Sequence, residues 1–207
     1  MRRLSTFVLL IGLAYPSLAS ATAVYDNGLP NTINGYPILQ SAWTADDFTI
    51  AAGASVKSVT FYFQNFSGIS GWDQQVDYEI FSDSSGLGIL LASGSAQNLT
   101  AVDSGLPWCC GGGNAFQVDF DLVNPFNAAA GTTYWLKLTG AGGTATSAWW
   151  VTTDPNGSAL GLIGGGGSSS DQHFAFALNN NLVPEPSTAL LLACGLVGLW
   201  GRGSRLH

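Results

Sequence analysis

Phe116-Gln117-Val118-Asp119-Phe120-Asp121-Leu122 is the stretch whose reading decides the fold. Phe116, Val118, Phe120 and Leu122 alternate with Gln117, Asp119 and Asp121. A period of two belongs to a strand with one face in a core and the other in water; a helix would scatter these apolar residues around its axis. The expectation is a half-buried strand with Asp119 and Asp121 on its solvated face, ended by Asn124-Pro125-Phe126.

The same grammar extends both ways. Val59, Phe61 and Phe63 share one face of a strand from Val56 to Phe66, and Val76, Tyr78 and Ile80 alternate with Asp77 and Glu79. Further strands are read at Val24-Tyr25, Ala45 to Ile50, Ile89 to Ala92, Thr133 to Thr139, Ala148 to Thr153 and Phe174 to Leu178, with Asn31 to Pro37 as a looser segment. Asp26-Asn27-Gly28, Ser82 to Gly86 and Asp154-Pro155-Asn156-Gly157 are turn chemistry. No window of a dozen residues shows a helical period. Roughly nine or ten short strands without a repeat predict an all-β chain, an antiparallel β-sandwich of jelly-roll type.

The two ends are of a different character. Arg2 and Arg3 precede an apolar core from Phe7 to Ala14, then two small-x-small cleavage sites closing at Ala21 and Ala23. That is a secretory signal peptide over residues 1–23, helical in its apolar core. At the other end Val183-Pro184-Glu185-Pro186-Ser187 precedes an apolar stretch over residues 188–201 and a basic end carrying Arg202 and Arg205. The prolines hold the triplet extended. The apolar stretch predicts a short hydrophobic helix, below the ~20 residues of a full span but long enough to hold a chain at a membrane for a time. The positive-inside bias keeps the arginines cytoplasmic.

This order of triplet, apolar run and arginine end resembles the PEP-CTERM sorting domain of Gram-negative bacteria, also named the ice-binding protein C-terminal domain. The resemblance covers about an eighth of the chain. It implies recognition and cleavage by an exosortase after signal peptidase has acted at the other end, transient inner-membrane association, and release to the cell surface or extracellular matrix. The body pattern VYDNG…ADDFTI…YEIFSD…FDLVNPF…AGTTYWLKL…WWVTT…FAFAL is similar to bodies found in other PEP-CTERM proteins and implies no particular activity. The expected domains are the signal at 1–23, the sandwich at 24–179, and a linker with the sorting signal at 180–207.

Between its ends the body keeps two lysines, Lys57 and Lys137, against twelve acidic residues, a formal charge of −10. Such a surface repels phosphate backbones, so nucleic acid is excluded as a partner. Cys109 and Cys110 are adjacent; a vicinal disulfide, free thiols and bonds to another chain all stay open.

No catalytic motif is present: no G-x-S-x-G, no H-E-x-x-H, no P-loop. The body has a single histidine, His173, read as the cap of a strand, and no enzyme is expected. Two binding readings accompany that expectation. Asp26, Asp46, Asp47 and Asp171 lie at strand ends where oxygens could gather around calcium. Trp72, Trp108 and one of the neighbours Trp149 and Trp150, with Trp150 the candidate, could stack on sugar rings of an exopolysaccharide. The expected role is structural or adhesive in exopolysaccharide or biofilm. A carbohydrate- or calcium-binding module is the alternative, and a hydrolase the outside one. Regular threonine arrays of an ice-binding face are missing from the body.

Overall fold

A computed structural model describes residues 22–39, 42–65, 68–108, 113–140, 148–155, 161–164, 168–169 and 172–183. The signal segment, Asp171, Cys109, Cys110 and residues 184–207 lie outside the described residues. The apolar alternation builds two antiparallel sheets. The first holds β1 (Ala23–Asp26), β2 (Pro30–Pro37), β4 (Ala54–Gln64), β7 (Gln97–Pro107), β8 (Asn114–Ala128), β10 (Trp149–Thr153), β13 (His173–Phe174) and β14 (Phe176–Asn179). The second holds β3 (Thr44–Thr49), β5 (Asp77–Asp83), β6 (Leu87–Ser95), β9 (Thr133–Thr139), β11 (Leu162–Ile163) and β12 (Ser168–Ser169).

The long strand β4 is the hub of the first sheet. It pairs with β8 through Phe61↔Val118 and Val59↔Phe120, with β14 through Phe61↔Phe176, and with β10 through Phe63↔Trp150. The second sheet runs β12-β11-β3-β9-β5-β6. The inward faces meet in one core, to which Phe48, Tyr78, Ile80 and Leu136 contribute from the second sheet and Val59, Phe61, Phe120, Trp150 and Phe176 from the first. Tyr78 lies 6.0 Å from Phe120 and Tyr25 lies 6.0 Å from Phe48, ring to ring across the sandwich. Each fully buried large apolar side chain of this kind contributes roughly 1.5–3 kcal/mol. Trp150 also satisfies its indole N–H on the Ala175 carbonyl at 3.0 Å, so its burial leaves no polar atom stranded.

Two expectations need correction, and one strand was not read at all. The segment Asn31 to Pro37 is a strand, β2, paired with β10 despite its prolines, which fall at its two ends. The segment Gln97–Pro107 is another long strand, β7, whose apolar residues are too sparse for alternation to stand out because it pairs only with β8 at the sheet's edge. Asn124-Pro125 does not end β8. The pairing steps from Ser58↔Asp121 to Val56↔Phe126, so Leu122 to Pro125 bulge out opposite Lys57, where a proline's missing N–H costs no ladder bond. The Val123 N–H in that bulge donates to the Tyr78 hydroxyl at 2.9 Å.

Candidate metal centre

The site begins with an anomaly on β3. Asp46 and Phe48 are two residues apart on one strand and therefore share a face. Phe48 is in the core, so Asp46 points inward as well, and both are fully buried. A carboxylate there needs donors. Asp46 Oδ2 accepts from Asn27 Nδ2 at 2.8 Å and from the Phe174 N–H at 2.7 Å. Its Oδ1 accepts from the Asp47 N–H at 3.0 Å. Asn27 is oriented in turn: Nδ2 also donates to the Phe174 carbonyl at 2.9 Å, and the Tyr25 hydroxyl donates to Oδ1 at 2.7 Å. Since β3 belongs to the second sheet while β13 and the end of β1 belong to the first, Asp46 is a polar tie between them.

His173, on β13, brings an imidazole to the same place. Its Nδ1 stands 3.7 Å from Asp46 Oδ1, and both side chains are sealed from solvent. Asp47 completes the group, itself buried. One ligand atom from each of Asp46, Asp47 and His173 lies within 4.8 Å of the others. Burial pushes the Asp46 carboxyl up to about 6; His173 and the Phe174 N–H pull against that rise, while Asp47 adds to it. His173 is raised too, chiefly by its interaction with Asp46 and further by the charge of Asp47, against the opposing effect of burial.

Of the four acids read as metal candidates, the structure brings Asp46 and Asp47 together. Asp26 is exposed and accepts from the Gly28 N–H at 2.9 Å within its own turn. The first and last strands do pair, with Asp26 opposite Ala177. His173 is the member that sequence reasoning assigned to a strand cap. The sequence signal reached only as far as ADDFTI, whose period turns one aspartate inward; nothing local pointed to His173 as its partner.

The three tryptophans considered for sugar stacking are buried: Trp72 at 5% exposure, Trp108 at 7% and Trp150 at 0%. Trp72 packs on Phe63 with ring centroids 4.4 Å apart. None offers an open ring face, so the stacking role read for them is not one these positions can fill. Of the neighbouring pair, Trp149 is the half-buried one. Asp121, expected on a solvated face, is 3% exposed. It accepts from Asn98 Nδ2 at 2.9 Å and from the Val183 N–H at 2.7 Å, and so ties the end of the last described segment to β8.

An open groove of ≈ 420 Å³ lies on the second sheet, lined by Asp77, Glu79, Ser93, Ser95, Lys137 and Thr139 among others. Its one ion pair joins Lys137 to Glu79. Among the described residues it contains no histidine or thiol to act as base or nucleophile. No family model matches the sequence, and no curated protein matches it.

Proposed function

We propose that this chain is an exported structural or adhesive protein of the bacterial surface or extracellular matrix, delivered by signal peptidase and an exosortase. The succession of motifs in the tail's sequence carries the reading. Pro184-Glu185-Pro186, the apolar stretch and the arginine end follow directly on Val183, a residue bonded to the sandwich through Asp121. A recognition triplet, an apolar stretch and a polar end in this order are the parts by which C-terminal sorting signals are read.

The body supports a scaffold role over a catalytic one. Its converging titratable group, Asp46 with Asp47 and His173, is sealed in the core where no substrate reaches it. The jelly-roll assignment belongs with this reading. Strands consecutive in sequence change sheets repeatedly, as β2, β3, β4 and β5 do and again β8, β9 and β10, the crossing pattern of jelly rolls. The edge strand β6 carries no charge and exposes Ile89, Leu90 and Leu91, a contact strip suited to adhesion in an otherwise acidic body.

Intact-mass analysis of the protein recovered from its native host, by cell fraction, is the test. The expected species lacks residues up to Ala21 or Ala23, lacks the apolar tail, and is found outside the inner membrane. A cytosolic species retaining Met1 and His207 would refute the reading.

A further inference from the structure

We propose that Asp46, Asp47 and His173 hold one divalent cation of the zinc type, sealed between the two sheets as the body folds. Asp46 Oδ1 and His173 Nδ1 face each other at 3.7 Å. Two ligands of a single ion at ~2.1 Å stand roughly 3–4 Å apart, so the carboxylate and the imidazole are already at the spacing of a shared cation. The acceptor capacity is in the right place. Asp46 Oδ2 already takes two N–H donors, whereas Oδ1, the oxygen nearer the imidazole, takes one.

Charge points the same way. Two carboxylates and one imidazole sum to −1 with the ring protonated and −2 with it neutral, inside a core. A divalent ion brings that sum to +1 or to zero. Asp46 is also oriented by Asn27 and the Phe174 N–H, the kind of outer support that fixes a metal-binding carboxylate. The donor set discriminates among ions. Calcium takes six to eight oxygens, whereas one imidazole nitrogen with two carboxylates suits zinc and its neighbours. Because all three residues are buried, the ion enters with folding and leaves with unfolding, as structural metals do.

The experiment refolds the full-length chain from denaturant in Zn²⁺ alone, in Ca²⁺ alone, or in chelator, measures Tm in that buffer, then desalts it and measures bound metal. The expectation is about one Zn²⁺ per chain, a Tm roughly 5–10 °C above the chelated sample at a hundredfold excess over Kd, and retention of the ion when chelator is added after folding. Asp47→Asn and His173→Gln should fold with an unchanged circular-dichroism spectrum yet lose the ion. They are the decisive variants, because Asp46→Asn also disturbs three N–H bonds. Wild-type chain that retains no zinc overturns the proposal. So does equal retention by both variants, which would place the ion elsewhere, and so does preferential retention of Ca²⁺.

Discussion

The Phe174 N–H and the Asp46 carboxylate meet at 2.7 Å, one residue from each sheet. The bond does in the middle of the sandwich what hydrophobic contact does around it, and it does so with a charged group that nothing apolar of similar shape could replace without stranding donors. Asp46→Ala would leave Asn27 Nδ2, the Phe174 N–H and the Asp47 N–H short of an acceptor. The expected loss is about 3–5 kcal/mol of unfolding free energy. Urea titration of the variant checks it; a loss under ~1 kcal/mol would mean water reaches the site.

The pH dependence of the metal-free protein follows from the same carboxyl. Its value is about 6 in the folded chain against 3.8 when unfolded, so between those values the folded state holds the extra proton. Stability from this group is complete below pH 3.8 and disappears as pH rises through 6, by about 3 kcal/mol. His173, also raised, has the same sign and extends the decline above pH 6.5. The exposed Asp83 carboxyl has the opposite sign. The Trp135 indole N–H bonds it and lowers it, so its small contribution is lost as pH falls. Melting curves in chelator from pH 4 to 8 should show Asp46→Asn flattening the pH 4–6 part of the slope; an unchanged slope would contradict this.

Gly94 is a position where a side chain does not fit. A Cβ there would come within 2.8 Å of Val123 Cγ2 and 2.9 Å of the Tyr78 hydroxyl. Gly94→Ala is therefore expected to cost about 1–3 kcal/mol and to disturb the bond from the Val123 N–H to Tyr78. Thermal unfolding measures the cost, and a neutral result would mean the β8 bulge moves freely.

Trp150 sits among Phe61, Phe174 and Phe176 with its N–H satisfied. Trp150→Ala should destabilise by about 3–5 kcal/mol. Trp72→Ala and Trp108→Ala should likewise act on stability. A glycan-binding assay in which either variant folds normally but loses sugar affinity would contradict their placement.

Asp121→Ala removes the acceptor of the Val183 N–H and of Asn98. Hydrogen exchange at the Val183 amide should rise by roughly 10- to 100-fold, the worth of one charge-assisted bond, while amides in β4 and β14 stay protected. Equal loosening throughout would show that Asp121 supports the whole sheet.

The fold was readable where strands are half-buried. FQVDFDL and VDYEI announce themselves because one face is wet. β7 and β2 do not, since an edge strand and a proline-flanked one need no apolar alternation. The site was half-readable. The period of ADDFTI turns Asp46 inward, but His173 reaches it only because β13, paired with β10 in the other sheet, packs across from β3. That juxtaposition spans 127 residues of chain, and no local pattern encodes it. The burial of Asp121 was hidden for the same reason, since its partners Asn98 and Val183 are remote in sequence; Trp72 folds back from its loop onto nearby Phe63, which loop composition does not announce.

The bond from the Val183 N–H to Asp121 clasps the end of the last described segment to β8, 62 residues earlier in the sequence. Because that carboxylate is buried, the end of the sandwich cannot peel away one residue at a time; it comes loose only when a polar group inside the sheet gives up its partner.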